Sequence, residues 1–270
     1  EYFSDELNTV AQQLQTLESG LRQALERNEL ALAYQPKVDL ASGQVVGLEA
    51  LVRWLPRVGF SVGSEQLIPV AEETGLIVPL GRWVVRAACE QWIVWRDAGC
   101  DPPPVAVNLS PRQFSDVRLI DDIDAILTET GMPPAYLQLE VTESAAMDNP
   151  IRSFGMLEAL RQRGLHVYID DFGTGYSNLG QLKRMPIDAL KIDKSFVSDV
   201  LTDSDDAEIV NAIIRLAHAL KLRVVAEGVE QAGQVAFLQQ SGCDEIQGYV
   251  VARPLPPDQV VAFFDWRFNF

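Results

Sequence analysis

VYIDDFGTGYSNL, residues 167–179, carries a short apolar run into two adjacent carboxylates, Asp170 and Asp171, and then into a turn holding Gly173 and Gly175. Neighbouring side chains on an extended strand point to opposite faces. Val167 and Ile169 therefore share one face, and Asp170 lies on the other. Glycines at 173 and 175, just beyond Phe172, permit the backbone angles of a tight loop. The stretch reads as a buried strand that brings negative charge to one end of a sheet.

The same phase recurs along the chain. Val105, Val107 and Leu109 oppose Asn108; Leu137, Leu139 and Val141 oppose Glu140; Leu190 and Ile192 oppose Lys191. Val224 and Ala226 oppose Glu227, and Leu30, Leu32 and Tyr34 oppose Gln35; Glu49 and Gln247 lie at similar points of their runs. Strand-like runs fall at 30–35, 45–51, 105–109, 137–141, 167–170, 189–193, 223–227 and 245–251, most of them separated by segments of helical spacing. Eight such units in one chain of 270 residues predict the α/β class and a TIM-like (β/α)₈ barrel. Runs one and two are joined by the turn-like DLASGQ (39–44) instead of a helix, so the first strand is expected to pair antiparallel with the second.

Aliphatic faces packed on outer helices would turn the polar set into the barrel, near the carboxyl ends of the strands, where barrel enzymes place their sites. Glu49, Glu140, Asp170, Asp171 and Glu227 would then crowd round Lys191. Like charges that close oppose one another's ionisation unless cations intervene. Oxygen donors including the Asn108 carbonyl, without histidine or thiolate, point to hard divalent ions such as Mg²⁺ or Mn²⁺.

Composition narrows the remaining classes. Twenty-two basic residues against 38 acidic give a net charge of −16, which argues against a broad surface for duplex nucleic acid. No apolar run is long enough to span a bilayer, and no secretory leader is visible. Cys89, Cys100 and Cys243 are scattered, without zinc-site or disulfide spacing, as expected of idle thiols in a reducing compartment. The two histidines, His166 and His218, have no nucleophile motif beside them, so a Ser-His-Asp triad is not indicated. The opening residue is Glu1, not methionine, which suggests a fragment of a longer protein. Leu7, Val10, Leu14, Leu17 and Leu21 recur at helical spacing interrupted by Gly20, and predict a helix on the barrel exterior or a connector. Core packing by a last helix, ahead of an interface, is expected of FFDWRFNF (263–270).

These stretches resemble a known family. YQPKVDL at 34, GLEALVRW at 47, VNLSPRQF at 107, LEVTES at 139, IDDFGTGYSNL at 169, LKIDKSFV at 190, VVAEGVE at 224 and IQGYVVARPLP at 246 are similar, in order and spacing, to the motifs of EAL domains, the cyclic di-GMP phosphodiesterases of bacterial signalling. Leu67-Ile68 and Asn178 depart from the family pattern without touching a candidate ligand. The resemblance implies three parts: a connector over 1–17, the EAL barrel over 18–262 and an aromatic tail over 263–270. It implies metal ligation by Glu49, Asn108, Glu140, Asp170, Asp171 and Glu227, with two Mg²⁺ or Mn²⁺ ions per site and Ca²⁺ binding without turnover. Lys191 would position the attacking water, and Glu227 is the candidate general base. Gln35, Arg53 and Gln247 would hold substrate; Glu143 would anchor the loop after Asp171, and Glu230 would support the site from behind.

The implied reaction is hydrolysis of cyclic di-GMP to linear pGpG by a two-metal mechanism. The resemblance also allows a homodimer, an upstream GGDEF or sensory domain, and a cytoplasmic setting, either free or as part of a membrane-anchored protein. Two alternatives stand beside it: a catalytically silent EAL domain that senses cyclic di-GMP, and, on the acidic barrel mouth alone, an enolase-like or aldolase-like metal enzyme.

Overall fold

A computed structural model describes residues 17–27, 29–55, 64–175 and 178–268. Its sheet is a closed barrel of eight strands in chain order. These are β1 (Leu30–Asp39), β2 (Val45–Trp54), β3 (Val105–Leu109), β4 (Leu137–Thr142), β5 (His166–Phe172), β6 (Ala189–Ile192), β7 (Arg223–Ala226) and β8 (Glu245–Gln247). As expected, β1 runs antiparallel to β2; it is antiparallel to β8 as well, and every other neighbouring pair is parallel.

The alternation read in the sequence sorts the core into two parts. Val105, Val107, Leu137, Leu139, Val167, Ile169, Leu190, Ile192 and Val224 join the large cluster between the barrel and its helices. Inside the barrel a much smaller apolar set, Tyr168, Ala189 and Val225, packs by itself. Barrel interiors are ordinarily filled by layers of branched aliphatics. Here Lys37, Gln138, Glu140, Lys191 and Glu245 are buried as well, and Lys37 and Lys191 are both 0% exposed. Charges taken out of water need partners. At the amino-terminal end of the strands Arg223 supplies one, its Nε lying 2.9 Å from Glu245 Oε1 and its Nη2 2.9 Å from Asp39 Oδ2.

β1 is longer than expected, because Pro36 does not end it. A proline within a sheet is tolerated where no donor is required. On the side facing β8, β1 bridges Leu255 at Tyr34 and joins the β8 ladder only at Lys37, so Pro36 falls between the two. The extension carries Lys37 into the barrel.

Two peripheral segments cover the wall. Residues 17–27 form a helix with Leu21 and Ala24 buried. Gly20, which breaks the apolar repeat in the sequence, lies against Trp54: a Cβ there would come within 2.5 Å of the indole. Leu7, Val10 and Leu14, and with them most of the expected connector, lie outside the described residues. The aromatic tail packs on the core as expected, with Phe263, Phe264 and Phe268 against it, but most of it lies beyond the last helix. The short helix Pro257–Val260 runs into a 3₁₀ turn, Val261–Phe263, and the chain then returns to the β1–β2 turn, where Phe268 N donates to Gly43 O at 2.8 Å. Phe264 meets Trp95 edge-on at 5.3 Å between ring centroids.

Leu139, fully buried on the outer face of β4, tests this division. Leu139→Ala is expected to lower the free energy of unfolding by about 2–5 kcal/mol. Val94→Ala, at a position 59% exposed, should change it by less than about 0.5 kcal/mol. Denaturant titration of both variants checks the pair.

Candidate metal centre and adjoining clefts

The carboxyl ends of the strands bring most of the candidate residues to one rim. Lys191, on β6, is their hub: its Nζ lies 2.6 Å from Glu140 Oε2, 2.6 Å from Glu227 Oε1, 3.2 Å from Asp170 Oδ1 and 3.6 Å from Glu49 Oε2. Two charges about 4 Å apart at an effective dielectric near 20 interact by about 4 kcal/mol, of either sign. One ammonium therefore cannot neutralise four carboxylates: Glu140 has a second partner in Lys37, and the others share Lys191 while repelling one another.

The local shifts follow from this imbalance. Burial raises the Asp170 carboxyl to about 7, with Lys191 opposing the rise and Glu140, Glu49 and Asp171 adding to it. Burial likewise pushes Glu227 well above the carboxylate range, and the nearby charges of Asp170 and Glu49 add to that against the pull of Lys191. Glu140 behaves differently. Its burial favours the neutral acid, but Lys191 and Lys37 outweigh that and hold its pKa below the usual value. Burial would discharge Lys191, yet Asp170, Glu140, Glu227 and Glu49 keep it firmly protonated.

The adjacency of Asp170 and Asp171 has a backbone cause. Pairing of β5 with β6 is irregular between Ile169 and Phe172, and Asp171 takes a left-handed conformation with φ 53°. A bulge suspends strict alternation and re-aims a side chain, a device common at barrel rims. Both carboxylates consequently face the same space: ligand oxygens of Asp170, Asp171 and Glu227 all lie within 4.8 Å of one another. Asp171 N donates to Asp170 Oδ1 at 3.0 Å, which helps hold the pair in place.

The loop that follows is fastened from β4. Thr142 caps the short helix Glu143–Asp148, and Glu143 Oε2 accepts from Gly173 N at 2.9 Å. Gly173 has φ 104°, and a Cβ there would lie 2.8 Å from the Phe196 ring. A Cβ at Gly175 would come within 3.2 Å of the Glu143 carboxylate. Glycine at 175 thus lets the loop approach the acid closely, and glycine at 173 lets it turn against Phe196.

Two clefts flank the acids. One of about 270 Å³ has apolar walls from Ile68, Ile77 and Leu80 and ends on Asn108, Asp170 and Asp171. Asn108 is exposed to this mouth and donates through Nδ2 to Glu49 Oε1 at 2.6 Å, leaving its carbonyl oxygen free of that bond. The other, of about 320 Å³, is lined by Gln35, Glu49, Arg53, Lys194, Glu227, Glu230, Gln247 and Tyr249. In it Gln247 Nε2 donates to Gln35 Oε1 at 3.1 Å and to Glu49 Oε2, while Gln35 Nε2 donates to Ala252 O at 3.0 Å. Gln247 Oε1 is buried without a partner among the described residues.

Glu49, Asn108, Glu140, Asp170, Asp171, Lys191 and Glu227 are thus brought together, with Gln35, Arg53 and Gln247 in the adjoining cleft. Glu140 sits deepest, its two oxygens taken by two lysines. Glu230 is not in the cluster; it is exposed at the edge of the larger cleft. Two charged neighbours are absent from the sequence-based set. Lys37 shares the inward phase of Gln35, a signal hidden by ending the strand before Pro36. Asp193 caps the helix Lys194–Ser198 and, after burial, is the main cause of the raised Asp171 carboxyl. It follows β6 directly, outside the strand where alternation applies.

Carboxylates in excess of nearby cations, two of them adjacent, with an amide oxygen beside them, suit hard divalent ions. Among the described residues no helix is long and apolar enough to cross a membrane.

Comparison with known proteins gives one consistent result. A match to the EAL domain family covers residues 18–254. The bifunctional diguanylate cyclase/cyclic di-GMP phosphodiesterase MucR of Pseudomonas aeruginosa is 46% identical over 262 residues, 97% of this chain and 38% of that protein. The cyclic di-GMP phosphodiesterase NbdA of the same organism is 44% identical over 256 residues, 95% of this chain and 33% of that protein. The solved structure of the PaMucR phosphodiesterase, a c-di-GMP complex, has a TM-score of 0.88 at 46% identity, over 91% of this chain and 99% of that one. The chain spans less than two fifths of the length of these curated relatives.

The raised Asp170 carboxyl sets a pH dependence. Below about 7 it holds a proton that an incoming cation must displace; above about 7 it does not. Mn²⁺ affinity is expected to fall up to about tenfold per pH unit as pH drops below that value, with proton release on binding. Calorimetry in buffers of different ionisation enthalpy checks this; affinity independent of pH between 5.5 and 8, or no proton release, contradicts it.

Proposed function

The chain belongs to the EAL domain family, and from that membership we propose that it is a metal-dependent phosphodiesterase that hydrolyses cyclic di-GMP to linear pGpG. The observation that carries this reading is the convergence of Glu49, Glu140, Asp170 and Glu227 on Lys191, with Asp171 beside Asp170 and Glu227, next to a cleft holding Arg53 and two amides. The similarity to MucR and NbdA, both named cyclic di-GMP phosphodiesterases, supports it.

In this reading Glu49, Asn108, Glu140, Asp170, Asp171 and Glu227 hold two Mg²⁺ or Mn²⁺ ions. When bound, such a pair supplies an activated water and offsets charge on the attacking and leaving oxygens of an in-line displacement. Ca²⁺ takes the same oxygen donors in a looser geometry and is expected to bind without supporting turnover.

The chain's own residues do the rest. Arg53 presents a planar guanidinium that can pair with a phosphate through two charge-assisted hydrogen bonds. Gln35 and Gln247, joined to each other, offer amides to the ligand from one wall, including the unpartnered Gln247 Oε1. Lys191 orients the water and holds Glu140 and Glu227 in place. Glu227, at the rim 2.6 Å from Lys191 Nζ, is the candidate general base, taking a proton on a carboxylate oxygen. Glu143 keeps the loop after Asp171 in register with the acids, and Glu230 supports the outer edge. A homodimer formed near that loop, an upstream GGDEF or sensory domain and a cytoplasmic setting belong to the same proposal.

Incubating the purified domain with cyclic di-GMP and Mg²⁺ or Mn²⁺ should yield pGpG on chromatography. Tight nucleotide binding without product would replace the enzyme by a silent sensor, and turnover of a carbonyl acid with none of phosphodiesters would favour an enolase-like or aldolase-like site. Glu49→Ala should lower turnover at least about 100-fold, since losing even an outer support of a metal commonly costs about 10- to 100-fold. Its fold should persist, because the change relieves like-charge crowding; circular dichroism reads that arm. Near-normal rates in this variant would contradict the role given to Glu49.

A further inference from the structure

The barrel centre contains an ammonium group that the proposed chemistry leaves unused. Lys37 lies opposite Gly47 of β2 and Gln247 of β8, and its side chain is wholly buried. Its Nζ donates to Gln138 Oε1 at 2.9 Å and to Glu140 Oε1 at 3.1 Å, and lies 4.8 Å from the centroid of the Tyr168 ring. Gly47 makes room for it, since a Cβ there would come within 2.8 Å of Lys37 Cε. Gln138 is itself held, donating through Nε2 to the Tyr168 hydroxyl at 3.3 Å.

Stability is a weak account of such a residue, because replacing a buried ion pair by well-packed apolar groups is often neutral or stabilising. What the arrangement does achieve is a division of Glu140. One carboxylate oxygen, Oε1, is bound from below by Lys37, and the other, Oε2, is bound from the rim side by Lys191 at 2.6 Å. Lys37 lines neither cleft at the rim, so any influence on the site passes through Glu140.

We propose that Lys37 is a positioning residue for the metal centre: it holds Glu140 by Oε1 from the closed side of the barrel and thereby turns Oε2 to the rim, toward Lys191 and the cations. This rests on the reading of the rim as a metal centre given above. Gly47, Gln138 and Tyr168 are the frame that keeps the ammonium at that point. A freely rotating Glu140 would present either oxygen, and the acids around Lys191 would lose their fixed lower member.

The test is Mn²⁺ binding without nucleotide, by calorimetry or electron paramagnetic resonance, on wild type, Lys37→Met and Gly47→Ala, with cyclic di-GMP turnover followed at one fixed Mn²⁺ concentration. Lys37→Met is expected to bind Mn²⁺ about 10- to 100-fold more weakly, the range for losing a group that orients a metal ligand. Its kcat should fall by a similar factor while KM for the nucleotide stays within about threefold, as for a group that does not touch substrate. Gly47→Ala keeps the charge but crowds Cε, and should shift Mn²⁺ binding in the same direction to a smaller extent; it carries the test if Lys37→Met does not fold. A folded Lys37→Met, or in its place Gly47→Ala, that binds Mn²⁺ within about twofold of a binding wild type overturns the positioning role and leaves the metal centre standing. A wild type that binds no Mn²⁺ overturns both.

Discussion

Lys191 holds four carboxylates at once, and a fifth acid lies beside them. With Lys37 the buried centre has two ammonium groups for those five acids. Proteins seldom bury charge unpaired, because the loss of hydration exceeds any single attraction. The alternatives open to the cluster are to hold protons, toward which burial pushes the Asp170 and Glu227 carboxyls, or to admit cations that hold these acids ionised. The rest of the rim is compatible with both: Asn108 and Gln247 brace Glu49, and Glu143 ties the loop after Asp171 to β4.

The fold makes the crowding possible by placing polar groups where barrels normally stack aliphatics. Outer faces of the strands bury Val, Ile and Leu against the helices, so the hydrophobic core lies outside the sheet. Inside the sheet, among the described residues, Tyr168, Ala189 and Val225 form a small separate apolar patch. A vertical series of polar contacts then runs up the barrel, from Tyr168 through Gln138 and Lys37 to Glu140 and Lys191. It links the rim to the interior by hydrogen bonds that leave Glu140 little freedom.

Much of this was legible from strand phase. The single rule that neighbours point to opposite faces places Glu49, Asn108, Glu140, Asp170, Lys191 and Glu227 on one side, and the closed barrel brings them together. Arg53 shares the inward phase of Glu49, although the expected second strand ended at residue 51 and the residue entered only through family resemblance. Where the backbone departs from regular alternation the rule had less to say. Asp171 reaches the rim through a bulge with a left-handed residue, and Asp193 through a helix cap. Lys37 was hidden by Pro36, which ends a strand in most settings but here falls at a gap in the ladder. For the aromatic tail only the extent of the last helix was illegible: helical backbone stops at Phe263, and beyond it Trp266 and Phe268 meet at 4.1 Å, a local contact that nothing in their spacing distinguishes from a helix.

The central claim is that these inward acids are held together for divalent ions. The most direct measurement is anomalous diffraction at the manganese edge from crystals of the protein grown with Mn²⁺. The account predicts two anomalous peaks at the rim, bounded by Asp170, Asp171, Glu227 and Glu49, with Glu140 Oε2 turned toward them. The absence of any peak, with the same carboxylates pointing apart around Lys191, would contradict it.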